Sequence, residues 1–253
     1  MAGGDPAEPG PRDVDGASRG EVGWAGARAV LDAVAIYLLA QVAIAVYAVA
    51  RGGGDVPLVV LVILSPVMLL VVALIWLRLR YGRGAARVAG RRWRWSDVGV
   101  GVGVGLACFV GQRLVLVGVA ALLSALGQEV PAVQETFQVI ADDRATAPAL
   151  ALTAVLLAPA GEELLFRGLV FQGLRARRGF WSAAVVSASL FTLAHLGDGG
   201  GPVADLIIVA GIFPLGLVFA AVMERRHSLL ASIVSHAVYN AGGVALLIFA
   251  AQG

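Results

Sequence analysis

Apolar stretches of about 20 residues recur along this chain, and no other feature limits its fold as strongly. The hydrocarbon core of a bilayer is about 30 Å thick, and a helix of about 20 predominantly apolar residues crosses it. With 59% hydrophobic and 14% charged residues and a mean hydropathy of +0.85, the chain lies outside the range of soluble domains. An outer-membrane barrel would require apolar and polar residues to alternate at period two, which the sequence does not show. The expected class is all-α, a polytopic membrane protein with seven spanning helices at 27–50, 57–79, 97–126, 148–174, 181–196, 203–223 and 229–250, the fifth being short. Residues 1–22 are rich in Gly, Pro, Asp and Arg and have almost no large apolar groups. They read as a disordered tail, which leaves 23–253 as one membrane domain. No signal peptide is expected, because a long polar segment precedes a first apolar run that can itself span.

The arginines set the orientation, since cytoplasmic loops carry the basic excess. Arg80, Arg83, Arg87, Arg91, Arg92 and Arg94 follow the second helix. Arg175, Arg177 and Arg178 follow the fourth, and Arg225 and Arg226 the sixth. The intervening connections are poor in arginine, and one holds Glu129, Glu135, Asp142 and Asp143. The alternation predicts a multi-pass protein of the cytoplasmic membrane with its N-terminus inside and its C-terminus outside. The formal charge of +2 says little about partners beyond the bilayer, and no nucleic-acid partner is expected. Trp93 and Trp95 suggest an interfacial segment at the headgroups. Gly99, Gly101, Gly103 and Gly105 give small-xxx-small spacings, which suit close packing within the chain or a homodimer face. The single cysteine, Cys108, reads as a small core residue.

Ionisable side chains inside a membrane helix are expensive and usually mark function. The run Ala158-Pro159-Ala160-Gly161-Glu162-Glu163-Leu164-Leu165-Phe166-Arg167-Gly168 carries three of them. Glu163 and Arg167 stand four apart with the acid N-terminal, the favourable order for an intrahelical ion pair. Glu162 points about 100° away and is free to face a cavity. Pro159 and Gly161 can loosen the backbone and admit water. Phe191 with His195, and His236 with Asn240, share helix faces by the same spacing of four. An ion-paired cluster that only locks helices together is the competing reading, and a lone membrane histidine is often just an interhelical bond. At about 1.5 Å per residue, Glu162 lies about 20 Å from Arg175 and His195 about 21 Å from Trp181, so the two share a depth. His236 lies only about 10 Å into its helix, which sets it apart from both.

Together these three segments resemble the CAAX protease and bacteriocin-processing (CPBP) family of intramembrane endopeptidases. Its pattern is E-E-x-x-x-R, then F-x-x-x-H, then H-x-x-x-N. Glu162 to Arg167, Phe191 to His195 and His236 to Asn240 match in order, and the resemblance covers roughly 148–245. It implies an endopeptidase acting on a membrane-associated peptide or protein substrate. Glu162 and His195 would activate a water, His236 and Asn240 would stabilise the oxyanion, and Glu163, Arg167 and Phe191 would support them. No cofactor is expected in this reading; a zinc enzyme using Glu162, His195 and His236 is the alternative, although no H-E-x-x-H is present. Gly52 to Asp55 formally reads G-x-G-D but lies in a predicted loop, and no G-x-S-G serine motif occurs. A non-catalytic scaffold or immunity protein of the same fold is the second reading. A proton-coupled transporter is the third, but the inverted repeats it would call for are not visible.

Overall fold

The computed structural model describes residues 25–52, 56–129, 146–196 and 201–250. The predicted tail at 1–22, Gly53 to Asp55, and the acidic residues Glu135, Asp142 and Asp143 lie outside the described residues. Seven helical segments follow one another: α1 (Ala27–Ala50), α2 (Leu58–Tyr81), α3 (Trp95–Ala125), α4 (Ala147–Arg175), α5 (Phe180–Leu193), α6 (Gly201–Arg226) and α7 (Leu229–Ala250). All of them except α5 are long and apolar enough to cross a membrane. The chain is thus a polytopic all-α membrane protein, with one departure from the predicted seven spans. Helix α5 has 14 residues, about 21 Å, and cannot cross a core of about 30 Å.

That short helix is what brings His195 inside. A Cβ on Gly216 of α6 would lie 2.8 Å from the Ala188 Cβ, so these two positions are level. Helix α6 runs 15 residues from that level back to Gly201, about 22 Å, whereas α5 continues only about 8 Å to Leu193. Its end therefore stops partway along α6.

Helix α4 is not uniform. Thr153–Leu157 and Leu164–Phe171 form wide π turns, shown by Ala158 N–H donating to the Thr153 carbonyl and Gln172 N–H to Arg167. Pro159 accounts for the first of these. Its ring crowds the carbonyl one turn before it, and it has no N–H to donate. Wide turns advance less per residue, so the distance along α4 is shorter than an ideal α-helix would give.

Helices α3 and α7 run side by side in the same direction. A Cβ at Gly101 would fall 2.6 Å from the Val234 Cβ, and one at Gly105 would fall 2.5 Å from the Ser235 carbonyl oxygen. Gly99 and Gly103 face open space. Two of the four glycines in the series thus serve packing within the chain. Cys108 is buried on the same face of α3 with Leu215 and Phe219.

The arginine-rich connection between α2 and α3 is not a free loop. Gly82–Ala89 coils as a 3-10 turn, and Val88 wedges against Gly168, where a Cβ would lie 2.6 Å from the Val88 Cγ1. Asp97, buried at the start of α3, accepts from Arg91 at 2.6 Å and from Arg226 at 2.8 Å. Arg175 pairs with Glu224 at 2.9 Å. Arginines from all three basic connections therefore gather at one end of the bundle. Trp93 and Trp95 are exposed there, with edge-to-face rings 5.1 Å apart.

Candidate active site

The site forms where α4, α5, α6 and α7 meet. Glu163 is fully buried, and its carboxylate is engaged on both oxygens. Oε1 is ion-paired with Arg167 Nη1 at 3.0 Å and accepts from His236 Nδ1 at 3.0 Å. Oε2 accepts from Ser232 Oγ at 2.5 Å. Arg167 is buried as deeply. Its guanidinium lies over the Phe191 ring at 4.4 Å and the Phe219 ring at 5.3 Å, and it donates to the Gly216 carbonyl at 3.3 Å. Aromatic faces and a carbonyl take the place of water around this cation.

Glu162 differs from its neighbour. It forms no hydrogen bond to any described residue, and its side chain keeps 19% exposure, against none for Glu163. Its Oε2 lies 3.7 Å from His236 Nε2, too far for a direct hydrogen bond. One water at the apex of a triangle could bond to both atoms. His236 is buried, with Phe219 stacked against it at 5.0 Å and 27° and Phe191 edge-on at 5.7 Å.

The partners fix which nitrogen of each histidine donates. An ionised carboxylate can only accept, so His236 Nδ1–H donates to Glu163 and Nε2 is turned toward Glu162. His195 follows the same rule: its Nδ1 lies 2.8 Å from the Phe191 carbonyl, which can only accept, so Nδ1–H donates there and Nε2 is the nitrogen left over. His195 stands in the turn just past α5 rather than within the predicted helix, with its N–H donating to the Thr192 carbonyl at 2.9 Å. Its ring is half-buried and 4.7 Å from the Phe191 ring. Phe191 thus touches both histidines and the Arg167 guanidinium, which gives a physical reason for an aromatic residue at that position.

Asn240 Nδ2 donates to the Ala154 carbonyl at 2.7 Å. That carbonyl is orphaned by Pro159. The residue four ahead of Ala154, Ala158, bonds Thr153 instead, and the residue five ahead is the proline, which has no N–H. Asn240 therefore caps a gap that the proline opened and keeps one amide hydrogen in reserve.

The placement of His236 departs from the predicted depth, which kept it away from the acidic pair. The structure brings it within 3.7 Å of Glu162 and 3.0 Å of Glu163. The reason is that α7 starts deeper than α4 ends: Val88 packs on Gly168 and Gly90 pairs with Ser228, so the start of α7 is level with about Gly168 rather than Arg175. Sequence reasoning missed Ser232 and Phe219. Ser232 stands one turn before His236, so its spacing was readable, but the type of residue it would meet was not. Phe219, an aromatic in an apolar helix, carried no signal. Among the described residues no three His, Cys, Asp or Glu side chains gather as a metal site.

Residues 144–242, which hold all three motifs, match the family model of the type II CAAX prenyl endopeptidase, Rce1-like. The family resemblance read from the motifs is thus shown over that segment. An uncharacterized 24.3 kDa protein of Escherichia coli is 32% identical over 87 residues, which is 34% of this chain and 38% of the bacterial protein's length. No solved structure matches.

Proposed function

We propose that the protein is an intramembrane endopeptidase that hydrolyses peptide bonds of membrane-associated peptides or proteins, using a water activated by Glu162 and His195. The observation that carries this reading is the unequal state of two adjacent carboxylates. Glu163 is held by one ion pair and two hydrogen bonds, whereas Glu162 forms no hydrogen bond to any described residue and lies 3.7 Å from the Nε2 of a histidine that Glu163 holds in place.

The resting site is rich in proton acceptors: the Glu162 carboxylate and two imidazole Nε2 atoms. A water that gives one hydrogen to Glu162 and the other to an imidazole directs its oxygen lone pair at a peptide carbonyl. Attack forms the new C–O bond, the water's proton passes to Glu162, and the carbonyl oxygen becomes an oxyanion. The reserve hydrogen of Asn240 is one donor to that oxyanion. His236 becomes the second when the proton on Glu162 moves to its Nε2, and the resulting imidazolium is balanced by Glu163. Preorganised donors of this kind in a water-poor site contribute much of a hydrolase's rate. The same proton then goes to the amide nitrogen as the C–N bond breaks, which restores the resting tautomer. Glu163, Arg167 and Phe191 position the two histidines.

The reaction proposed here uses no metal. Purified protein in proteoliposomes should cleave candidate membrane peptides with and without chelator. Glu162→Ala and His195→Ala should each abolish cleavage, and activity that survives both would overturn the site. Loss on chelation with recovery on adding zinc would overturn the metal-free mechanism. We place the protein in the cytoplasmic membrane with its N-terminus inside and its C-terminus outside. The gathering of Arg91, Arg175 and Arg226 at one end supports this, and single-cysteine labelling from either side of the membrane tests it.

A further inference from the structure

Arg113 lies in α3, outside the segment that matches the protease family. Arginine in a membrane helix normally has an acidic partner or reaches the interface. Among the described residues Arg113 has no carboxylate partner. Its Nη2 donates to Gln112 Oε1 at 2.7 Å, and its guanidinium lies over Phe109 at 5.5 Å. Both are neutral, and its Nε is buried with nothing to donate to. Arg113 is half-buried, at the edge of the exposed side of α3 formed by Val110, Leu114 and Val117, whereas Gln112 packs against Gly211 of α6.

This cation stands on the helix pair that carries part of the proposed site. Phe109, under its guanidinium, packs on Gly242 of α7, two residues past Asn240. A guanidinium held by neutral groups and with a donor to spare is suited to receive a carboxylate in bidentate fashion.

We propose that Arg113, set by Gln112 and Phe109, binds a carboxylate of the peptide substrate and so selects peptides that carry a negative charge a few residues from the scissile bond. The inference rests on the endopeptidase reading above. A free C-terminus and an acidic side chain supply the same chemistry, and the experiment separates them.

Three fluorescent apolar peptides of one Leu/Val/Ala sequence are compared in proteoliposomes: one with a free C-terminal carboxylate, one with a C-terminal amide, and one amidated with Glu as its penultimate residue. The free acid, the Glu peptide or both should show a KM about tenfold lower than the plain amide, and whichever does so identifies the source of the carboxylate. Arg113→Gln should raise that KM to the level of the amide, leaving kcat and the amide's KM unchanged. Arg113→Lys should restore part of the preference. Equal KM values for all three peptides with wild-type protein would overturn the proposal. So would an Arg113→Gln effect shared by all three, as expected of a cation that holds a lipid phosphate or an acid of residues 130–145. If wild-type protein cleaves none of the peptides, the endopeptidase reading fails. The carboxylate site is then read by equilibrium binding of the same peptides to wild-type and Arg113→Gln protein, where equal affinities overturn it.

Discussion

Two buried carboxylate clusters in this molecule use the same residue types to different ends. At the arginine-rich end, Asp97 accepts from two arginines and from the Arg94 N–H at 2.8 Å. One carboxylate faces two cations, and both arginines reach the surface with about a quarter of their side chains exposed. In the bundle interior two carboxylates, Glu162 and Glu163, share one buried guanidinium, that of Arg167, with the His236 ring between them. The first cluster has more guanidinium groups than carboxylates, and water and headgroups can screen the excess. The second has more carboxylates than guanidinium groups in a place with little water, and in the proposed reaction a proton taken from water makes up the difference. A structural knot needs matched or screened charge. A proton-accepting site needs a charge left over, held by a framework that cannot relax to cancel it.

The largest effect should come from removing that leftover charge. Glu162→Gln is expected to lower kcat by at least about 10²- to 10⁴-fold, the usual contribution of a general base, while thermal stability in detergent barely changes. A comparable loss of activity on Asp97→Asn would break the contrast between the clusters. Next is Arg167→Met, which leaves Glu163 buried and unpaired. Removing one partner of a buried pair costs about 3–5 kcal/mol, so a fluorescence thermal-shift assay should show a large fall in melting temperature. Pairing it with Glu163→Gln should recover part of that loss. Asp97→Asn comes third, at about 1–3 kcal/mol for the lost charge-assisted bonds, with cleavage retained. A similar loss, about 1–3 kcal/mol, is expected for Ser232→Ala, which removes one of the two hydrogen bonds on Glu163. Guanidinium or thermal titration of these variants ranks them, and the ranking fails if Asp97→Asn proves more damaging than Arg167→Met.

A packing comparison is sharper still because it involves no charge. Gly105→Ala should destabilise by about 1–3 kcal/mol through overpacking against α7, whereas Gly103→Ala should be close to neutral. Equal effects would show that the α3–α7 contact is looser than the 2.5 Å clearance at Gly105 implies.

Much of the molecule was legible before any coordinates. Long apolar runs have one solution in a bilayer, because every backbone N–H and C=O must be satisfied within the segment. The helices and the Glu163–Arg167 pair follow from that and from a spacing of four. What could not be read was anything that depended on where each helix starts or on distant neighbours. Measuring each helix from its own end put His236 at the wrong depth, because α7 starts level with about Gly168 and not with the end of α4 at Arg175. A fixed window made α5 a span, although it ends partway and thereby delivers His195 to the interior.

By itself, then, the sequence determined that the chain is a membrane helix bundle and which few residues carry charge inside it, because hydrophobicity and local periodicity are properties of neighbouring residues. Only the tertiary structure decided which of two adjacent glutamates is held by hydrogen bonds, which nitrogen of each histidine is engaged, and that Arg113 has no carboxylate partner among the described residues. These are settled by contacts between residues as far apart as Glu163 and His236, and no spacing along one helix records them.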